Sequence, residues 1–555
     1  MDATGASGAS SRSAWAGVAL ILLATALVYS GSFDGDFVSD DLSAVRDNVL
    51  LQELSWANLA GIFQAFDDSN YIPLKVLSLA VDRALFGHGV AGYHAMNLVY
   101  HLGCVLLVYT LWVRLRFSTW AACLATSIWA LHPVQVESVA WISERKNVLS
   151  TLFLLGAFHL WIRYSRSRRH RALALIYLLY GCALLCKMTT MVLPALCLAY
   201  EWTYAEKRPL RDQWPLLPML VLGAVVAVVT LTGSPLPTVF HGGSATVTWL
   251  TSSTVVFAYL AKLILPVGLS PVYLVHLRSS LLDPAVLSSV LALIAITAMS
   301  IRLLLLRRKA AFWIGWFFIS LSPMLNIIPF PSLMQDRYLY VPLIGAVGVI
   351  AWVSQRLPVA WRRGMAVVSL VLIVVYGVLS FRQVEVWSDA TTHLVAVEKQ
   401  VAFPIPDRAY REEGDADYLR AVQAASERTP DSAVLLNNLA RRLVIANRPD
   451  EALPLIRLAL EKDDSIPEAW FNLGRLAMLA RRPADAIDAL ERARELDGRY
   501  FYTHLNLARV YLEQRQLTAA RASLAMCERL RPTVTSYWVA ETSALARLEA
   551  ELGQE

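Results

Sequence analysis

Two adjacent carboxylates, Asp40 and Asp41, lie within "DGDFVSDDLSAVRDN", residues 34 to 48, directly after an apolar run long enough to cross a membrane. A carboxylate beside a bilayer is costly unless it has a partner or a task. A pair offers a specific task. One carboxylate removes a proton from an attacking hydroxyl while its neighbour orients that group or moves its pKa. Between Asp34 and Asn70 there are eight acids (Asp34, Asp36, Asp40, Asp41, Asp47, Glu53, Asp67 and Asp68) and one base, Arg46. A solvated outer loop explains scattered acids, but explains a pair so close to the apolar run less well.

Cations near the same surface would complete such chemistry, because a departing phosphate gains charge as its bond breaks. "HPVQVESVAWISERKN" carries His132, Glu137, Glu144, Arg145 and Lys146, and "MQDRYLYVPL" carries Asp336, Arg337 and Tyr338. Lys187 stands at the end of an apolar run in "LLCKMTTM". Arg337, Arg145, Lys146 and Lys187 are the candidate phosphate ligands; their bland alternative is snorkelling, or ion pairing with Glu144 or Asp336. "YHAMNLVYH" puts His94, Asn97 and His101 on one helical face, either as polar packing or as site-lining groups.

These residues need a membrane frame to hold them. The chain has 555 residues, 56% hydrophobic and only 17% charged, well below the quarter usual in soluble domains. Its formal charge of +6 matches the Lys/Arg excess of cytoplasmic loops, and no basic helix with interleaved aromatics points to nucleic acid. Five of the six cysteines fall in apolar runs and Cys527 in a helical repeat, so free buried thiols are expected. The first apolar run, Ala14 to Phe33, reads as a retained spanning helix rather than a cleaved signal.

Further runs of spanning character follow at 92–113, 118–132, 147–164, 172–187, 189–204, 215–232, 284–305, 310–330, 338–354 and 364–381. Basic clusters set their direction: Arg114 with Arg116, Arg163 to Arg171, Lys207 with Arg208 and Arg211, Arg307 to Lys309, and Arg362 with Arg363 should all face the cytoplasm. They alternate correctly only if the 247–267 stretch does not cross on its own. That gives about eleven spans with the N-terminus inside. The acidic loop and everything after residue 382 are then outside.

Beyond a mixed, charged connector at 383–430, the chain repeats itself every 34 residues. Leu436, Trp470 and His504 are in register, as are Ala440, Gly474 and Ala508, and Ala459, Ala493 and Cys527. Small residues at that period are the tetratricopeptide pattern. The expectation is an all-α chain: a membrane domain over 1–382 with its first outer loop at 34–91, the connector, and three repeats over 431–555 closed by a terminal helix at 535–552.

The segments "FVSDD", "YIPLKVLS", "GYHAMNLVYH", "HPVQVESVAWISERKN", "MLNIIPFPSLMQDRYLYVPLIG" and "WSDATTHLVAVEKQ" together resemble the transmembrane and tetratricopeptide repeat-containing O-mannosyltransferases, in the GT-C class of membrane glycosyltransferases. That resemblance implies transfer of a sugar from a polyprenyl-phosphate carrier to an acceptor, a protein hydroxyl foremost, on the outer face of a bacterial inner membrane. It also implies an aspartate of the first outer loop as base, Asp40 ahead of Asp41, with His132, Glu137 and Arg337 lining the site. Relatives carry Tyr-Arg-Pro where this chain has Tyr71-Ile72-Pro73, so a cation is missing there and Lys75 is the nearest substitute. The sugar is open, and so is a divalent metal. The alternatives are a GT-C enzyme acting on lipid or glycan, and a non-catalytic anchored scaffold; a transporter would carry mid-bilayer charges, which this chain does not.

Overall fold

A computed structural model describes residues 4–67, 70–205, 209–233, 240–273, 275–330, 332–389, 432–445, 447–498 and 500–530, with a few isolated positions between 392 and 427. Lys207 and Arg208, the side chains of Arg362 and Arg363, Asp68, most of the connector and the expected terminal helix at 535–552 lie outside the described residues. The chain divides into two compact units. One comprises residues 1–238, 249–271 and 278–390; the other comprises 391–555 with the segments 239–248 and 272–277.

The regular structure of the first unit's described residues is helical, apart from an isolated bridge between Asp67 and Asn70. Its helices are α1 (Thr4–Tyr29), α2 (Trp56–Gln64), α3 (Pro73–Phe86), α4 (Val90–Arg114), α5 (Thr119–Leu131), α6 (Val136–Ala140), α7 (Arg145–Ser167), α8 (Arg171–Cys186), α9 (Leu193–Thr203), α10 (Leu216–Gly233), α11 (Ala245–Ile264), α12 (Pro284–Leu305), α13 (Lys309–Leu321), α14 (Pro342–Ser354) and α15 (Val359–Val386). Seven described helical stretches are long and apolar enough to cross a membrane: Trp15–Ser32, Val90–Arg114, Ile142–Ser167, Leu216–Gly233, Ala245–Ile264, Pro284–Leu305 and Gly364–Val386. The apolar helices α5, α8 and α14 are 13, 16 and 13 residues long. At 1.5 Å per residue each falls short of a 30 Å hydrocarbon core.

Helix α11 covers the stretch expected not to cross alone, and it is long enough to do so. Its contacts run to the loop between α13 and α14, to the end of α5 and to α15. Near its start, the Trp249 indole donates to the Asn326 carbonyl at 3.2 Å; further on, Gln335 N–H donates to the Tyr259 hydroxyl at 2.9 Å. At its finish, the Leu263 carbonyl lies 3.2 Å from His132 Nε2. Asn326 and Gln335 belong to the loop between α13 and α14, and the turn Asp336–Leu339 that follows them packs against Pro133–Gln135, next to His132. The Tyr376 hydroxyl, within α15, donates to the Ile264 carbonyl at 3.0 Å.

The second unit holds three helix pairs: α16 (Ala433–Ile445) with α17 (Pro449–Lys462), α18 (Pro467–Leu479) with α19 (Pro483–Leu496), and α20 (Phe501–Glu513) with α21 (Leu517–Leu530). The 34-residue register reappears in the backbone. Asn447, Arg481 and Arg515, one per pair, take the left-handed conformation between the two helices at φ 59°, 54° and 58°. At Gly474 a Cβ would stand 2.7 Å from Leu490 Cγ, which is why α18 and α19 approach so closely. Ala452, Ala459, Ala486, Ala493, Ala520 and Cys527 are buried at equivalent positions.

Candidate active site

The loop after α1 is fixed at two points. Asp36 N–H donates to the Ser388 carbonyl at 2.6 Å, just past α15, and a Cβ on Gly35 would sit 2.5 Å from that same oxygen. No larger residue leaves room for this approach. Ser39 then takes a left-handed conformation (φ 54°), unusual for a residue with a side chain, and turns the chain into Asp40 and Asp41.

The two aspartates differ sharply. Asp41 is fully buried and accepts from Ser143 N–H at 2.7 Å, Ser143 Oγ–H at 2.5 Å and Val38 N–H at 3.3 Å. Burial pushes its carboxyl up to about 7, the hydrogen bonds opposing only in part. Asp40 is half-buried beside it. The Asp41–Ser143 bonds therefore fasten the aspartate pair to the residue next to Glu144.

Glu144 is the centre of a nest of cations. Lys146 Nζ lies 2.8 Å from one carboxylate oxygen, Arg337 Nε 3.3 Å from the same oxygen, and Lys187 Nζ 4.0 Å from the other. Arg337 also pairs with Glu137 through its guanidinium, and its N–H donates to Glu137 at 2.7 Å. Asn147 joins the set: its amide N–H donates to Glu144 at 2.9 Å and to Ser138 Oγ at 3.0 Å, while its oxygen accepts from Lys187 Nζ.

Glu144 and Glu137 are almost wholly enclosed, at 0% and 1% side-chain exposure, whereas Lys146, Lys187 and Arg337 keep 21%, 13% and 16%. The cations are thus the accessible side of the cluster, with the acids behind them. Burial lowers the Lys187 ammonium to about 8, with Glu144 resisting. Burial alone would lower Arg337 too, but Glu137 and Glu144 carry it above its ordinary value. Burial raises Glu137, with Arg337 opposing. A cleft opens on this side, lined among others by Asn147, Lys187, Thr189, Thr190, Arg337 and Tyr338.

Aromatic groups close the site laterally. The Arg337 guanidinium lies over Trp141 at 5.3 Å and Tyr338 at 5.5 Å, and Trp141 stacks on Trp387 at 4.7 Å. Lys75, the substitute for the missing cation at position 72, is buried and bound to Asp67 at 2.6 Å. Lys75 outweighs burial and holds Asp67 below the usual carboxylate range.

Other expected residues are placed elsewhere. The Arg145 guanidinium is fully enclosed, pairing with Asp82 at 2.5 Å and donating to Asn97 at 2.7 Å and to the carbonyls of Tyr93 (2.9 Å) and Ser78 (3.3 Å). It points away from the cleft. Asn97 also donates to the carbonyls of Val139 and Trp141, so this knot holds the chain leading into Glu144. His94 is buried, and His101 is buried with Nδ1 at 2.7 Å from the Tyr340 hydroxyl. His132 accepts from Val134 N–H on Nδ1, which leaves Nε2 to donate to Leu263, and burial lowers its pKa to about 4. Asp336 is buried at the foot of α14. Among the described residues, no group of three or more His, Cys, Asp or Glu side chains is placed to hold a metal ion. Ser143 and Asn147, both central here, carry no charge and gave no signal in the sequence beyond lying in "WISERKN".

Comparison with known proteins agrees with the resemblance read from the motifs. Residues 74–232 match the family described as dolichyl-phosphate-mannose-protein mannosyltransferase, and residues 437–500 and 471–533 match a tetratricopeptide repeat family. Protein O-mannosyl-transferase TMTC1 of Mus musculus is 31% identical over 206 residues, covering 33% of this chain and 22% of that protein. Protein O-mannosyl-transferase TMTC3 of Homo sapiens is 27% identical over 203 residues, covering 34% and 21%. The matches span about a fifth of these relatives' own length. Among solved structures, ArnT from Cupriavidus metallidurans bound to undecaprenyl phosphate is 14% identical, with 85% of this chain and 79% of that one covered and a TM-score of 0.35.

Proposed function

We propose that this chain is a multi-pass membrane glycosyltransferase of GT-C type that moves a sugar from a polyprenyl-phosphate donor to an acceptor hydroxyl, foremost on a protein. The supporting observation is the cation nest around Glu144, fastened by Asp41 and Ser143 to a second, half-buried carboxylate. Lys146, Lys187 and Arg337 face Glu137 and Glu144, three positive charges against two negative. The surplus charge suits a phosphodiester, which is singly negative. It suits still better the monoester that leaves, whose charge at neutral pH is about −1.5 to −2. Interactions that strengthen as charge develops are the ones that accelerate a reaction.

In this reading the acceptor oxygen attacks the anomeric carbon and the bond from that carbon to the phosphate oxygen breaks, with inversion. The electron pair leaves on the phosphate, held by Lys187, Arg337 and Lys146. The hydroxyl proton passes to Asp40, while Asp41 fixes the loop that carries Asp40. The basic clusters favour placing this end of the bundle outside the cytoplasm, in a bacterial cell at the periplasmic face. The relatives' names make mannose the first sugar to try, and the repeats are the part that recruits the acceptor.

Donor binding tests the phosphate site separately from turnover. Affinity for undecaprenyl phosphate, measured on the full chain in nanodiscs, should fall by about ten- to a hundredfold in Lys187→Ala, as for a lost charge-assisted contact of roughly 1.5–3 kcal/mol. Arg145→Lys should instead lower thermal stability without that selective loss. Equal affinity in wild type and Lys187→Ala overturns the phosphate site.

A further inference from the structure

Helix α7 starts beside the cation nest, at Arg145, and ends 23 residues later at Ser167. A helix of that length is about 34 Å long, enough to cross a 30 Å hydrocarbon core. Spanning a membrane, α7 carries its far end to the opposite surface, beside Arg114, the last residue of α4. The packed faces of the two helices run on into arginines there. His159 Nε2–H donates to the Leu107 carbonyl at 2.9 Å. Arg163 and Arg166 follow His159 at i+4 and i+7, and Arg114 follows Leu107 at i+7, so all three lie on the faces that meet.

Backbone carbonyls hold two of them in place. Arg114 Nη1–H donates to the His159 carbonyl at 2.9 Å, and Arg166 Nη2–H donates to the Arg114 carbonyl at 3.0 Å. The side-chain charges acting on Arg114 are those of Arg166 and Arg163, both positive. Among the described residues no carboxylate pairs with these three: Glu201 is taken by Arg168 at 3.4 Å, and Asp212 lies 3.9 Å from Arg211. Arg163 and Arg166 are exposed and Arg114 is half-buried. Guanidinia gathered without an acid repel one another unless an anion joins them.

The depth of the cluster identifies that anion. Exposed indoles stand at the same end: Trp214 stacks on His170, just past α7, at 6.0 Å, and Trp202 lies one residue after Glu201. Tryptophan collects at the headgroup level of a bilayer. We propose that Arg114, Arg163 and Arg166 bind the phosphate headgroup of an anionic membrane lipid, at the bundle end opposite the candidate active site. The guanidinium fork matches phosphate oxygens two at a time. A general excess of loop cations, which sets the direction of a span, accounts for Arg169 and Arg171 but not for arginines fixed at a helix crossing. This lipid is distinct from the polyprenyl-phosphate donor, and its binding does not depend on the proposed reaction.

The test is native mass spectrometry of the full chain in detergent, titrated with phosphatidylglycerol or phosphatidylcholine. The expected result is a preference for phosphatidylglycerol of roughly tenfold or more. Arg163→Gln with Arg166→Gln, both at exposed positions, should remove that preference, and Arg163→Lys with Arg166→Lys should retain part of it. Arg169→Gln with Arg171→Gln takes the same charge from the same loop and should leave the preference intact. So should Lys187→Ala, at the other end of the bundle. Excess inorganic phosphate should displace little of the bound lipid. The proposal is overturned by equal affinity for the two lipids, or by an equal loss in the Arg169/Arg171 variant. A loss in Lys187→Ala would move the lipid to the candidate active site, and displacement by inorganic phosphate would assign the arginines to a soluble anion; either result also overturns it.

Discussion

Asp40 and Asp41 are neighbours in sequence with different surroundings, and in the proposed reaction that difference divides their tasks. Asp41 is enclosed and its folded-state pKa, about 7, lies above the unfolded value, so folding favours its protonated form. Its contribution is largest at low pH and is lost as pH rises from the ordinary carboxylate range through 7. The thermal midpoint of the wild type should fall over that window and flatten above it. Asp41→Asn should lack the step; an identical pH profile in both proteins would show that Asp41 does not titrate there. Lys187 gives a second window. Its ammonium is charged below about 8, so affinity for polyprenyl phosphate should decline above that pH. Lys187→Arg should abolish the decline, and binding titrations across pH check it.

The acid pair, the "ISERK" charges and Arg337 could be picked out in the sequence because ionisable residues beside apolar runs are conspicuous. The partners that hold them could not. Arg145 has the same charge and surroundings in sequence as Lys146, yet its donors go to Asp82, Asn97 and two carbonyls; only the packing of α3 against α4 and α7 decides this. His94, His101 and His132 read equally well as ligands or packing until their neighbours were placed. Burial and backbone partners make them packing groups.

At the scale of elements, the site depends on segments far apart in the chain meeting at one bundle end. Gly35 lets the first loop lie on the end of α15, where a Cβ would strike the Ser388 carbonyl at 2.5 Å. Gly35→Ala should cost about 1–3 kcal/mol by overpacking and reduce turnover, because the loop carrying Asp40 must shift. Gly31→Ala, with only Val384 at 4.0 Å, should be nearly silent in the same thermal-unfolding and turnover assays. Glu137 joins α6 to the foot of α14 through Arg337. Removing one partner of a buried pair costs about 3–5 kcal/mol, so Glu137→Ala should destabilise far more than a surface acid such as Glu513→Ala. Hydropathy located the helices, but it is silent on direction for one like α11, whose apolar length permits crossing.

For the molecule as a whole, the 34-residue period was readable in the sequence, and the left-handed turns at Asn447, Arg481 and Arg515 repeat it in the backbone. A repeat advertises itself because each unit needs the same small residue at the same crossing. The membrane unit has no such internal echo, and its site is assembled from side chains 200 residues and more apart, as in Glu137 with Arg337 and Trp141 with Trp387. The two units carry separable tasks in this account, transfer in one and recruitment in the other. A chain ending after residue 390 should therefore keep its affinity for polyprenyl phosphate while turning over a protein acceptor more slowly.

The most direct measurement is release of polyprenyl phosphate by the full chain in lipid nanodiscs, supplied with polyprenyl-phosphate mannose and an acceptor peptide rich in serine and threonine. Wild type is compared with Asp40→Asn and Asp41→Asn. The account predicts turnover in wild type, a loss of about 10²–10⁴-fold in Asp40→Asn with donor affinity retained, and a smaller, stability-linked loss in Asp41→Asn. Undiminished turnover in Asp40→Asn would contradict it.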